Sequence, residues 1–143
     1  MVKKANHCAY DTHYHLIIVM KYRRKVLIKP EYLDYLCQQI KEIAERYEFE
    51  IEEIGSDGDH VHILLSAPPR YSPSRVMQIV KSITGRMMFE KFPELKKQLW
   101  GSELWSDGGY VGTVGKYGGL EGVINYIKQQ GKSKSKQSRL MDY

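Results

Sequence analysis

Apolar residues in the first half of the chain follow the two periods expected of strands and helices. Residues 13–20 (HYHLIIVM) form a short run rich in β-branched and aromatic side chains, which predicts a strand. Over residues 31–47 apolar positions recur three and four apart, which predicts an amphipathic helix. Residues 49–54 (FEIEEI) and 60–66 (HVHILLS) flank a turn rich in Gly and Asp, so together they predict a β-hairpin.

The second half continues this alternation of helix and strand. Residues 72–87 begin with Ser and Pro, which is typical of an N-cap and a first helical turn, and apolar residues at helical spacing follow. A short helix is predicted over residues 93–99, and residues 110–114 predict a brief strand between glycines. Residues 120–130 carry an apolar stripe that predicts a final helix; the stripe consists of Leu120, Val123, Ile124 and Ile127.

The order strand, helix, strand, strand, helix, strand predicts the split β-α-β arrangement of ferredoxin-like folds. The expected class is α+β, with a mainly antiparallel sheet, helices packed on one face and an added C-terminal helix. A chain of 143 residues is close to the usual size of one domain. We therefore predict a single domain over residues 1–131 and a basic, flexible tail over residues 132–143.

The composition is that of an ordinary globular protein, with 42% hydrophobic and 27% charged residues. No stretch of about 18 uninterrupted apolar residues occurs, and the N-terminal residues turn polar before an apolar run develops. We therefore expect no membrane span, no secretory signal and a cytoplasmic location. Cys8 and Cys37 lack the Cys-x-x-Cys spacing of metal sites and are expected to be reduced thiols.

Positive charge is concentrated in two segments. The formal net charge is +5, from 22 Lys and Arg residues against 17 Asp and Glu residues. Residues 20–30 (MKYRRKVLIKP), called the basic segment below, contain five cationic residues and no acidic one, and the tail adds four more. Such clusters favour a polyanionic partner such as nucleic acid. Either cluster alone is equally typical of a solvated surface, so charge leaves both interpretations open.

Two His-x-His triplets carry candidate chemistry. His60 and His62 open the second strand of the predicted hairpin, and alternation along a strand places both on one face. That arrangement suits a metal ion, but it is also compatible with ordinary strand histidines. His13 and His15 have the same spacing on the first predicted strand. Periodicity therefore does not decide which pair, if either, binds a metal.

Tyr126 and Gln130 lie on the final predicted helix, away from its apolar stripe. Their i, i+4 spacing brings the two side chains together on an edge of the helix that does not face the core. With 11 tyrosines in the chain, this position alone is more typical of an amphipathic surface residue than of a nucleophile.

Five segments, in this order and spacing, resemble a known family: YHLIIVMKYRRKVL, DHVHILL, KSITGRMMFEKFPELK, LWGSELWSDGGYVGTVG and VINYIKQQ. They closely resemble the small single-tyrosine HUH transposases of the insertion-sequence 200/605 group, to which the REP-associated tyrosine transposases are related. The resemblance covers nearly the whole chain. It implies a transposase that cleaves and rejoins single-stranded DNA at element ends marked by imperfect hairpins, through a 5′-phosphotyrosine intermediate.

The resemblance also implies roles for particular residues. His60, His62 and Gln130 match the ligands of a divalent cation, and Tyr126 matches the nucleophile on the added C-terminal helix. The histidine matching His15 recurs in the family without being a ligand. The cofactor is then Mg²⁺ or Mn²⁺, and two imidazoles with an amide oxygen favour Mn²⁺ in the usual divalent order. A carboxylate at Asp59 is positioned in sequence to hydrogen-bond a ligand imidazole.

The expected partners are single-stranded DNA and a second copy of the chain. The resemblance implies a homodimer, in which the helix with Tyr126 can complete the active site of the other subunit. The candidate DNA contacts are cationic side chains of two segments: Lys21, Arg23, Arg24, Lys25, Lys81 and Arg86. Two alternatives stay open, a domesticated hairpin-specific single-strand nuclease and a non-catalytic module that binds single-stranded nucleic acid. The presence of both histidines, Tyr126 and Gln130 favours an enzyme over the binding module.

Overall fold

The computed structural model describes residues 3–5, 8–101, 103–114 and 127. Its helices and strands, in chain order, are β1 (Lys3–Ala5), β2 (Cys8–Tyr10), β3 (Tyr14–Val19), α1 (Pro30–Tyr47), β4 (Glu50–Ser56), β5 (His60–Ser66), α2 (Pro73–Lys91), α3 (Glu94–Gln98) and β6 (Tyr110–Thr113). Two short 3₁₀ turns, Lys21–Arg23 and Val26–Ile28, lie within the basic segment.

Four strands form one antiparallel sheet in the order β4-β5-β3-β6. α1 connects β3 to β4, and α2 precedes β6, so the predicted ferredoxin-like α+β arrangement is confirmed. β1 and β2 form a separate two-stranded ladder that was not predicted. Strands of three residues are too short to show a period of two, which is why the pattern missed them.

The two faces of the four-stranded sheet carry different side chains. Apolar side chains from one face join those of the two long helices in the hydrophobic core: Leu16, Ile18, Val61, Ile63, Leu65, Leu36, Ile40, Ile43, Val76, Ile79 and Val80. On the other face, Ile17 lies opposite His62 and Val19 lies opposite His60 in the β3–β5 ladder. Since side chains alternate along a strand, His15 shares that face. The candidate histidines thus lie on the face opposite the core helices.

Local signals in the sequence account for the placement of α2. The hydroxyl of Ser72 accepts a hydrogen bond from the backbone N–H of Arg75 at 3.1 Å, and Pro73 occupies the first turn, as predicted. The buried indole N–H of Trp105 donates to the Thr84 hydroxyl at 2.9 Å. This bond fixes the segment after α3 against α2 and therefore helps to position β6, which follows it.

The predicted final helix falls almost entirely outside the described residues. Ile127, the described residue of that segment, is helical and buried, in agreement with its place on the predicted apolar stripe. Within the described part of the chain, no helix combines the length and the apolar character needed to cross a membrane.

Candidate active site

The turn between β4 and β5 brings two carboxylates beside the first histidine of β5. Gly58 has φ +92°, and a Cβ there would lie 2.9 Å from Cγ1 of Ile28, so the turn requires glycine. The carbonyl of Asp59 accepts a hydrogen bond from the N–H of Met20, and the carbonyl of Gly58 accepts one from that of Leu27. The basic segment is therefore docked directly against this turn.

His60 is almost completely buried and lies between the carboxylates of this turn. Its Nδ1 is 2.6 Å from Oδ1 of Asp59, and its Nε2 is 3.5 Å from Oδ2 of Asp57. A carboxylate only accepts, so Nδ1–H of His60 donates to Asp59, and Nε2 is the nitrogen that faces Asp57. The hydrogen bond predicted between Asp59 and an imidazole is present, whereas the approach of Asp57 was not foreseen.

His62 is fully buried, and its hydrogen bond runs to a histidine on the neighbouring strand. Its Nδ1 lies 2.9 Å from Nε2 of His15, and the two rings stack with centroids 5.1 Å apart. Burial, with smaller contributions from His60 and His15, lowers the pKa of His62 to about 2. Burial also lowers the pKa of His15. Both rings are therefore neutral near pH 7, the state that a metal requires of an imidazole ligand.

His60 and His62 form one compact unit, with ring centroids 5.0 Å apart and planes at 66°. Two imidazoles on one strand face, each with its Nδ1 hydrogen-bonded, are ligand types that a divalent cation accepts. No group of three or more His, Cys, Asp or Glu side chains within the described ranges is arranged to hold a metal. The third predicted ligand, Gln130, and the predicted nucleophile, Tyr126, lie outside the described residues.

The competing histidine, His13, has a different set of contacts. Its Nε2 is 3.0 Å from Oδ1 of Asp11, and its Nδ1 is 2.5 Å from Oε1 of Glu52. Glu52 is the extra residue of a β-bulge between Ile51 and Glu53, and a bulge re-aims the side chain that it contains. His13 is thus enclosed by carboxylates from two segments.

The predicted DNA contacts lie in two places. In the basic segment, Nε of Arg23 is 3.6 Å from Oδ2 of Asp59, so Asp59 links this arginine to His60. On α2, Nζ of Lys81 donates to the backbone carbonyl of Ser106 at 2.8 Å and holds the segment that leads to β6. Lys81 and Arg86 line a cavity of about 540 Å³ beside Trp105. Their contact with DNA stays a prediction.

Sequence reasoning identified the histidines and Asp59, and it missed the other partners of the histidines: Asp57 beside His60, His15 beside His62 and Glu52 beside His13. The acidic turn was visible as DGDH, and Asp57 was within its reach as a candidate. The contact between His15 and His62 depends on the register of two strands 47 residues apart, which local periodicity does not contain.

Comparison with known proteins gives consistent matches over most of the chain. The family model described as "Transposase IS200 like" matches residues 8–130. The ISDra2 transposase TnpA of Deinococcus radiodurans is 36% identical over 129 residues, which cover 90% of this chain and 91% of that protein. The transposase for insertion sequence element IS200 of Salmonella typhimurium is 32% identical over 128 residues, with coverage of 90% and 82%.

Two solved structures resemble the fold. A candidate transposase from Deinococcus radiodurans R1 superposes with a TM-score of 0.71 at 34% identity, covering 90% of this chain and 97% of that one. A REP-associated tyrosine transposase bound to a REP hairpin superposes with a TM-score of 0.59 at 15% identity, covering 90% and 72%. The second likeness concerns the fold alone.

Proposed function

This chain belongs to the IS200-like transposase family, and from that premise we propose that it cleaves and rejoins single-stranded DNA through a phosphotyrosine on Tyr126. The observation that carries the proposal is the pair His60 and His62: two buried imidazoles on one strand face, each hydrogen-bonded through Nδ1. A non-catalytic binding module does not need both histidines together with Tyr126 and Gln130. The hairpin-marked element ends are proposed from the sequence resemblance.

In this proposal His60, His62 and Gln130 hold Mg²⁺ or Mn²⁺. When bound, the cation neutralises charge on the non-bridging oxygens of the scissile phosphate and orients that phosphate. Asp59 fixes the ring of His60, and the ring of His62 ligates through Nε2 when its Nδ1–H donates to Nε2 of His15. The carboxylate of Asp57, 3.5 Å from Nε2 of His60, adds negative charge that favours a cation there.

Tyr126 supplies the nucleophile. Its phenolic oxygen forms a bond to phosphorus as the bond from phosphorus to the 3′ oxygen breaks, and the phenolic proton passes in net terms to the departing 3′ hydroxyl. The number of phosphoester bonds is unchanged, so the reverse reaction can join the tyrosine-linked 5′ end to another 3′ hydroxyl. This conservation is what separates strand transfer from hydrolysis.

The proposal includes a homodimer. β6 lies at one edge of the described sheet, and an edge strand can pair with a strand of a second copy. Light scattering should then give twice the 16.7 kDa of one chain. A mixture of Tyr126→Phe and His62→Ala proteins should recover cleavage if Tyr126 acts in the partner's site, whereas neither variant cleaves alone.

The deciding experiment is Tyr126→Phe. Single-stranded oligonucleotides carrying the hairpins that flank the gene are incubated with Mn²⁺, and covalent protein–DNA adducts are separated on denaturing gels. The unmodified chain should form the adduct, and Tyr126→Phe should bind the oligonucleotide and form none, since only the phenolic oxygen is missing. Tyr35→Phe is the matched control, because Tyr35 lies on α1 and packs against Phe92.

An adduct from Tyr126→Phe at the level of the unmodified chain would assign the nucleophile to another tyrosine. Hairpin binding by the unmodified chain with no adduct at any Mn²⁺ concentration would instead favour the non-catalytic binding module. Cleavage without rejoining of two supplied ends would favour the domesticated nuclease.

A further inference from the structure

Two large aromatic side chains are exposed next to one another on the surface. Tyr22 is 55% exposed and Trp100 is 68% exposed, and their rings meet edge to face with centroids 5.0 Å apart. Such residues usually contribute to a core or an interface, because each can remove a large apolar area from water. Tyr22 belongs to the basic segment and Trp100 follows α3, so two separate stretches of the chain form the pair.

Cations surround this aromatic pair. The guanidinium of Arg24 lies 5.3 Å from the centroid of Trp100, and Nζ of Lys21 lies 5.9 Å from the centroid of Tyr22. Beside them is a cavity of about 310 Å³ whose lining residues are Arg23, Arg24, Lys25, Val26 and Gln98. Aromatic faces next to a cationic hollow are the two components with which proteins bind the bases and phosphates of single strands.

The backbone at this surface is held in an unfavourable conformation. Tyr22, Arg23 and Trp100 have φ values of 57°, 53° and 53°, in the left-handed region that is unfavourable for a residue with a side chain. One further non-glycine residue in the described ranges, Glu48, has a positive φ. Strain of this kind persists where the surrounding contacts impose it, and it concentrates at functional sites.

A backbone hydrogen bond and an ion pair connect the segments of the aromatic pair to one another and to the candidate active site. The N–H of Lys21 donates to the carbonyl of Leu104 at 2.8 Å, which joins the basic segment to the stretch that follows Trp100. Arg23 reaches Asp59, whose other carboxylate oxygen accepts from His60. A strand held at the aromatic pair would therefore lie close to the metal-binding histidines.

We propose that Tyr22 and Trp100 form a stacking site for an unpaired base of single-stranded DNA, with the adjoining phosphate in the cavity lined by Arg23, Arg24 and Lys25. The site rests on the proposed function, because it supplies the strand for the reaction at Tyr126. Its ligand is a flexible strand rather than a duplex, since a base must leave its stack to reach the rings. Stacking tolerates every base, so the site positions the strand without reading its sequence.

The test measures binding of the full-length chain to fluorescein-labelled oligothymidylate in EDTA, which prevents metal-dependent cleavage. Trp100→Ala and Tyr22→Ala should each weaken binding about tenfold, and Trp100→Phe should restore most of the loss because it keeps an aromatic face. Arg24→Ala should weaken binding, whereas Arg70→Ala should not. Arg70 is the matched control because its guanidinium lies 5.0 Å from the ring of Tyr71, at another place on the surface.

Tryptophan fluorescence gives an independent readout. The chain has two tryptophans, and Trp105 is 4% exposed, so a change on binding reports Trp100. Oligothymidylate should quench the unmodified chain and leave Trp100→Phe unchanged, and a duplex at the same concentration should quench neither. Equal affinities of Trp100→Ala and the unmodified chain, or equal quenching by the duplex, would overturn the stacking site. The adduct assay on Tyr126→Phe separately tests the proposed function, so either idea can fail alone.

Discussion

Two His-x-His triplets of identical spacing lie on neighbouring parts of one sheet, and their contacts differ. Both ring nitrogens of His13 are within 3.0 Å of a carboxylate oxygen, one from Asp11 and one from Glu52. At His60 the two carboxylate contacts differ in length: Nδ1 lies 2.6 Å from Asp59, and Nε2 lies 3.5 Å from Asp57. Both carboxylate contacts of His13 are thus at hydrogen-bond distance, whereas the contact of Nε2 of His60 with Asp57 is longer.

The second histidines of the two triplets, His15 and His62, are hydrogen-bonded to each other. The triplets are therefore linked through these two rings. The first histidines, His13 and His60, differ in their carboxylate contacts because different backbone features lie beside them: a bulge at Glu52 for His13 and the Gly58 turn for His60. Side-chain spacing can place two imidazoles on one face, but the flanking backbone determines which carboxylates lie beside each ring.

The largest expected effect comes from removing the ligands themselves. His60→Ala and His62→Ala should each abolish Mn²⁺-dependent cleavage of a hairpin oligonucleotide, because two donors are too few to hold and orient the cation. His13→Ala should keep the same metal requirement. Gln130→Ala should be milder, since an amide oxygen is a weak ligand that water can replace. Cleavage is measured against Mn²⁺ concentration for all four variants.

If His62→Ala cleaved the oligonucleotide at Mn²⁺ concentrations that suffice for the unmodified chain, His62 would not be a ligand, and the two triplets would no longer differ in their proposed roles. Loss of Mn²⁺-dependent cleavage in His13→Ala, together with its survival in His62→Ala, would assign the metal to the other triplet.

Much of the fold was predictable because its long elements carry clear periodicity. The helix predicted over residues 31–47 is Pro30–Tyr47, and the helix predicted from Ser72 and Pro73 begins there. The 3₁₀ turns of the basic segment and the ladder of β1 and β2 were missed, because three-residue elements leave no repeating pattern. Charge alone marked the basic segment, and the left-handed backbone at Tyr22 has no signature in composition.

Less of the site could be derived from local sequence. The spacing of the histidines indicated both triplets equally as candidate metal sites, and only the family resemblance distinguished between them. The carboxylates of Asp57 and Asp59 lie in the same motif as His60, and the bond of Asp59 was anticipated. The contacts of His15 with His62 and of His13 with Glu52 join positions 47 and 39 residues apart, so they depend on strand register and on a bulge that only the folded chain defines.

An intermediate effect is expected from His15, which contacts the proposed ligand His62 and is not itself a proposed ligand. His15→Ala should weaken Mn²⁺ binding about 10–100-fold, because the ring of His62 loses the partner of its Nδ1. His15→Gln places an amide oxygen near the former Nε2 and should recover much of the affinity. Affinity is measured by calorimetry without DNA, and urea unfolding of each variant separates positioning from loss of stability. Equal Mn²⁺ affinity in His15→Ala and the unmodified chain would contradict this role.

A smaller effect should appear in the pH dependence of stability without metal. The pKa of His62 is about 2 in the folded chain against 6.5 as its ordinary value. Between these pH values His62 binds a proton in the unfolded chain but not in the folded chain. Its contribution to the free energy of unfolding is therefore fully present above pH 6.5 and decreases as the pH falls below 6.5. The slope from this group is at most about 1.4 kcal/mol per pH unit.

Urea unfolding in EDTA from about pH 7.5 to about pH 5, a range that spans the ordinary histidine pKa of about 6.5, measures this slope. His62→Gln should flatten it whatever its overall stability, since the variant lacks the titrating ring. A slope unchanged in His62→Gln would mean that other groups cause the acid sensitivity.

The smallest effect on catalysis is expected at the carboxylate that distinguishes His13 from His60. Glu52→Gln replaces an anionic acceptor by a neutral amide at 2.5 Å from Nδ1 of His13, and the weakened buried contact should cost about 1–3 kcal/mol of unfolding free energy. Mn²⁺ affinity and the metal dependence of cleavage should not change, because Glu52 contacts His13, which is not a proposed ligand. Glu45→Gln, an exposed position on α1, controls for the charge change alone. If Glu52→Gln weakened Mn²⁺ binding as strongly as His15→Ala, the bulge at Glu52 would have to influence the proposed metal site. Both triplets would then contribute to metal binding, and the distinction drawn between His13 and His60 would be wrong.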